Sequence, residues 1–109
     1  MIDIRCLSRE KSGLYALRIR GHAQYAPRGA DIVCAAVSAL GYTFAAVLRR
    51  LEAEGALASR ARIHEAEGML FVAGRADRAH DAALKQSFET VKTGLQLLAE
   101  SYPAHVRLR

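Results

Sequence analysis

The chain has 109 residues, enough for one domain with a core of its own and too few for two. With 51% hydrophobic and 25% charged residues, the composition excludes a disordered or fibrous protein. A formal charge of +5, with thirteen arginines among sixteen basic residues, favours an anionic neighbourhood such as RNA. Along the chain, however, the arginines look scattered (Arg5, Arg18, Arg20, Arg49, Arg50, Arg60, Arg62, Arg107, Arg109), with no basic run and no aromatic platform. Direct nucleic-acid binding is therefore not expected to be the main task.

Residues 2–7 alternate, with Ile2, Ile4 and Cys6 on one face and Asp3 and Arg5 on the other. Residues 14–20 repeat the pattern, setting Tyr15, Leu17 and Ile19 against Arg18 and Arg20. Period-two alternation predicts strands with one wet face, and the polar "SREKSG" between them predicts a hairpin loop. The period then changes. Val33, Val37, Leu40, Phe44, Val47 and Leu51 form one helical stripe, with Gly55 as a stop. The 17 uncharged residues 32–48 reach the lower edge of a membrane span, but the helical spacing predicts a buried helix instead, with no membrane partner.

Residues 60–65 and 69–73 predict a second strand pair around "AEG", with Ile63, Leu70 and Val72 in the core. A second helix is expected from an N-cap near Asp77 to about Ser101, carrying Leu84, Phe88, Val91, Leu95, Leu98 and Tyr102 inward until Pro103 ends it. The tail "AHVRLR" alternates again and predicts a last strand. The order ββαββαβ specifies an α+β fold, an antiparallel sheet with two helices packed on one face. It forms a single domain over residues 1–109.

The chemistry concentrates in "GHAQYAPRGADIVCAAVSAL", residues 21–40, where His22 closes a strand and Cys34 falls in the first helical turn. Cysteine attacks as thiolate, which a helix N-terminus and a nearby imidazole both favour. If the loop folds back, His22 acts as general base toward Cys34 and as acid toward a leaving amine. Unpaired N–H groups of the helix start would then be available to an oxyanion. Asp31 is either the helix N-cap, the commoner reason for Asp before an apolar run, or a group that orients His22. Gly21 and Gly29 suit turn conformations, and Ser38 and Gly41 follow Cys34 on one side of the helix, leaving room for a shallow groove. The competing reading makes Cys34 an inert core thiol and His22 a satisfied polar group.

"GHA" followed by "GADIVCAAVSAL" resembles the signature of the ribosomal-processing cysteine protease family, the Prp or YsxB-like proteins. The similarity extends to chain length and element order, and so to essentially the whole chain. It implies a Cys/His endopeptidase, typically a homodimer, that removes the N-terminal extension of large-ribosomal-subunit protein L-twenty-seven after an aromatic residue. His22 and Cys34 match the family's catalytic pair. Gly21, Gly29, Asp31 and Ser38 match motif positions that bind substrate or support the site. The basic, Pro-containing "QYAPR" is expected to touch substrate, in a loop that is mobile until substrate orders it.

Other features carry less. Cys6 alternates inward with the strand core, and two thiols with no signal-like N-terminus suit a reduced, cytoplasmic protein. His64, His80 and His105 fall in separate elements at no ligand spacing, so no metal and no cofactor is expected. Tyr15, Phe44, Phe71 and Phe88 fit core positions. A different class of function stays open: a non-catalytic ribosome-associated binding module on the same fold, close to ribosomal RNA. A thiol-redox protein fits poorly, because no resolving cysteine lies near Cys34.

Overall fold

A computed structural model describes residues 1–27 and 29–109. Strands β1 (Ile2–Arg9) and β2 (Leu14–Gly21) form the first hairpin, and helix α1 (Ile32–Ala53) follows. Strands β3 (Arg62–Ala66) and β4 (Met69–Arg75) form the second hairpin, followed by helix α2 (Asp81–Ser101) and strand β5 (Val106–Leu108). The sheet order is β3-β4-β2-β1-β5, and the β1–β2, β2–β4 and β3–β4 pairs are antiparallel. The fold is thus α+β in the expected order. One pair departs from it: β5 runs parallel to β1, Ile2 facing Val106. The end of α2 lies beside the start of β1, where Ile2 N–H donates to the His105 carbonyl at 2.8 Å, so the tail can only leave along β1.

The two helices cover the face where Ile2, Ile4, Tyr15, Leu17, Leu70 and Val72 point, and all of these are buried. On α1 the buried stripe is Val33, Val37, Gly41, Phe44, Ala45, Leu48 and Leu51. Leu40 and Val47, expected in that stripe, sit half-buried at its border. At Gly41 the helix approaches so closely that a Cβ would lie 2.7 Å from Ile19 Cδ1. Length and composition alone would let α1 cross a membrane; here its apolar stripe packs into the core with Phe44 against Phe88 of α2, ring centroids 5.5 Å apart. Asp77 caps a short 3-10 turn (Arg78–His80) that precedes α2, so the helix proper begins four residues later than its cap signal.

The opposite sheet face carries no helix, and two expectations are corrected there. Phe71 does not enter the core; its cross-strand partners are Arg18 and His64, on the open face. Nor are the arginines scattered. The strand registers send Arg5 and Arg9 of β1, Arg18 and Arg20 of β2, Arg62 of β3 and Arg75 of β4 to this face, joined by Arg107 and Arg109 at β5. The one strand carboxylate among them, Asp3, is held by Arg109 at 2.6 Å and Arg107 at 3.4 Å. Those guanidinium hydrogen bonds and charges outweigh desolvation and bring the Asp3 pKa down to about 2.

Candidate active site

The end of β2, the start of α1, the β3–β4 turn and the start of β5 meet at one end of the sheet. His22 follows β2 directly, while Cys34 lies in the first turn of α1. The loop between them folds back, the condition on which the sequence left their meeting. Both side chains line a cleft of about 520 Å³ that also takes in Gln24, Gly29, Asp31 and Ser38. A smaller hollow of about 150 Å³, walled by Ile19, Tyr42, Met69 and Leu70, opens on the same His22, Cys34 and Ser38. The pair therefore stands where two cavities meet. Among the described residues no hydrogen bond joins the imidazole to the thiol. The backbone N–H of Ala23 instead donates to Cys34 Sγ at 3.2 Å.

Asp31 is the cap. Its Oδ1 accepts from Val33 N–H and Cys34 N–H, each at 3.0 Å. Its Oδ2 accepts from Tyr25 N–H at 3.0 Å and Ala26 N–H at 3.3 Å. Four backbone donors occupy the carboxylate, so it stitches the loop to the helix rather than orienting His22. Desolvation alone would raise its pKa; the N–H groups of Cys34, Tyr25, Ala26 and Val33 together lower it below the usual 3.8. These bonds also engage two of the helix N–H groups expected to serve an oxyanion, those of Val33 and Cys34.

The loop is also less free than expected. Ala23 is buried, and its carbonyl accepts from His105 Nδ1 at 2.8 Å. The Tyr25 ring meets Tyr102 and His105 edge-on, with centroids 5.5 and 5.4 Å away. The His22 carbonyl accepts from the Met1 nitrogen at 2.6 Å. Residues 22–26 are thus anchored on both sides. Within "QYAPR", Gln24 and Ala26 line the cleft, while Arg28 lies outside the described residues. Gln24 has φ 55°, a left-handed conformation taken by no other described non-glycine residue.

Two glycines shape the histidine's place. Gly21 has φ +93°, and a Cβ there would run into the Met1 carbonyl oxygen. Gly68, in the β3–β4 turn with φ +68°, leaves its Cβ position to the imidazole, whose Nε2 would lie 3.1 Å from it. Gly21 N–H also donates to the Gly68 carbonyl at 2.8 Å, which ties the two turns together. Gly68, Ala23 and His105 escaped sequence reasoning because their contacts join distant segments. Only the glycine in "AEG" was a visible signal, and it was read as a turn residue alone.

Two tests follow from this geometry. In Asp31→Asn, one oxygen acceptor becomes an NH₂ donor facing N–H groups. Amide exchange at Tyr25 and Ala26, or at Val33 and Cys34, should accelerate at least about tenfold; unchanged protection by exchange NMR would refute the stitching role. Because the folded-state pKa of Asp31 is the lower one, its contribution is complete above pH 3.8 and fades as pH falls through the depressed value. The second test concerns the thiols. Burial pushes the Cys6 thiol above its ordinary 9.0, with Lys92 lowering it and Glu89 raising it. Iodoacetamide at neutral pH should therefore modify Cys34, open to the cleft, well before Cys6. Preferential labelling of Cys6, read by peptide mass spectrometry, would contradict this.

Residues 1–107 match the family described as cysteine protease Prp. No curated protein matches. Among solved structures, the chain is similar to the essential ribosomal processing protease Prp of S. aureus with a covalently linked product peptide. The identity is 23% and the TM-score 0.78, over 100% of this chain and 98% of that one. The same protease with a substrate peptide gives 22% and 0.72, over 100% and 98%. A further likeness is to SMU.848 from Streptococcus mutans, with 26% identity and a TM-score of 0.66, over 100% and 92%. The S. aureus likenesses, below 25% identity, speak for the fold alone.

Proposed function

Because the chain belongs to the Prp cysteine protease family, we propose that it is an endopeptidase with Cys34 as nucleophile and His22 as its base. The observation that carries this reading is the meeting of both side chains at the junction of two cavities, with the Ala23 N–H on the sulfur. A peptide lying from one cavity to the other would bring its scissile carbonyl to Cys34. His22 takes the thiol proton as sulfur bonds to the carbonyl carbon. The imidazolium then gives that proton to the departing amine as the C–N bond breaks, leaving a thioester on Cys34. Water, deprotonated by His22, cleaves the thioester and restores the thiol. Once sulfur is bonded to carbon, the Ala23 N–H is released to serve the oxyanion.

The substrate proposed is the N-terminal extension of a large-subunit ribosomal protein, L-twenty-seven, cut after an aromatic residue. The likeness to the S. aureus protein, a ribosomal processing protease crystallised with peptides, supports that choice. We place the enzyme in the cytoplasm, as a homodimer, close to ribosomal RNA. A fluorogenic peptide spanning the extension tests the reading. The native chain should cleave it, whereas Cys34→Ala should bind it and leave it intact. Binding without cleavage by the native chain would instead identify a peptide-binding module.

A further inference from the structure

The open sheet face has a use of its own. Across its middle, Arg5 faces Arg18, Arg18 faces Phe71, and Phe71 faces His64, one row spanning four strands. Three shallow hollows of about 550, 450 and 530 Å³ lie along this face, and Phe71 lines every one of them. Like charges directly opposite in a sheet cost stability, so the Arg5–Arg18 pair is a burden to folding. The Arg18 Nε is buried with no hydrogen-bond partner. Asp3 is already engaged by Arg107 and Arg109, and among the described residues the only further carboxylate lining these hollows is Glu67, at one end. Eight of the chain's arginines thus share one face with this aromatic ring.

We propose that this face binds single-stranded RNA, with a base stacked on Phe71 and phosphates on the surrounding arginines. A row of guanidinium groups matches a polyanionic backbone in charge, and an aromatic ring on a sheet supplies the stacking that an unpaired base needs. A duplex hides its bases and offers only phosphates. A second copy of this chain is the poorer occupant, because it would set arginines against arginines. The choice of RNA among polyanions rests on the proposed role in ribosomal-protein processing; the face itself rests on charge and register.

Fluorescence anisotropy with a labelled twelve-nucleotide single-stranded RNA tests the site and needs no peptide cleavage. The native chain should bind with micromolar affinity at low salt. For about four phosphates, affinity should fall roughly fifty-fold between 50 and 200 mM KCl. Arg5→Gln combined with Arg18→Gln should weaken binding and lower the salt slope by about 1.4. Phe71→Leu should weaken it about tenfold and leave that slope unchanged, because stacking releases no counterions. Melting curves identify any variant that fails to fold, and Phe71→Met then replaces Phe71→Leu. Cys34→Ala should bind RNA as the native chain does, and a native chain that binds RNA but leaves the peptide uncut would sink the protease reading alone. Native affinity in the arginine or Phe71 variants overturns the site. So does equal binding of duplex RNA or of DNA of the same sequence, displacement by polyglutamate at equal charge, or a dimer on light scattering that Phe71→Leu dissolves.

Discussion

Replacing His22 with alanine is expected to lower peptide turnover by about two to four powers of ten, the usual size of an acid–base contribution. The imidazole is exposed at the cleft, and its ring rests against the bare backbone of Gly68. Its removal therefore takes little apolar area out of the core, and the melting temperature should move little. Binding of the peptide to a His22→Ala, Cys34→Ala double variant should match that of Cys34→Ala alone. Alkylation of Cys34 in His22→Ala should persist at a reduced rate, because the thiol stays open to the cleft. Cleavage and alkylation must be measured separately for that reason. Native turnover in His22→Ala would remove the histidine from the reaction; an unfolded variant would assign it to the structure instead.

A second large effect is expected at Gly21, one residue before the histidine. Its φ of +93° is closed to most side chains, and an added Cβ would meet the Met1 carbonyl oxygen. Backbone cannot swing aside as the end of a leucine can. Gly21→Ala must break the Ile2–Gly21 pairing, the N–H bond to Gly68, or both. The cost should be about 2–4 kcal/mol, from the strained dihedral and the overpacking together. For a domain of this size that is a fall of roughly 10–25 °C in melting temperature. Turnover should fall as well, even at temperatures where the variant is folded, because His22 leaves its place beside Gly68. Calorimetry and peptide cleavage check the two parts. A variant that melts and cleaves like the native chain would show that the turn has room the geometry denies.

The candidate pair was legible because its signals are local. Asp31 lies three residues before Cys34, the spacing at which a cap reaches the first turn of a helix, and the cap is what the structure shows. What the carboxylate does with its other oxygen was not legible. Tyr25 and Ala26 return to Asp31 in a loop that His105, 82 residues from Ala23, holds from the far side. The same distance in sequence hid the contact of His22 with Gly68.

By itself the sequence determined the order of elements, most of the inward stripe of each, and the placing of His22 and Cys34 at the two ends of one loop. These follow from periods of two and three-to-four residues and from cap spacing, all properties of a few consecutive residues. Tertiary structure alone decided that β5 runs parallel to β1 and that the Asp31 carboxylate ties Tyr25 and Ala26 to the start of the helix. It also decided that Phe71 faces away from the core among the arginines. Alternation says that Arg5, Arg18 and Arg62 each leave one side of their own strand. Which strands are neighbours, and in what register, depends on pairing across the whole chain. That pairing turns residues dispersed over more than a hundred positions into one charged face.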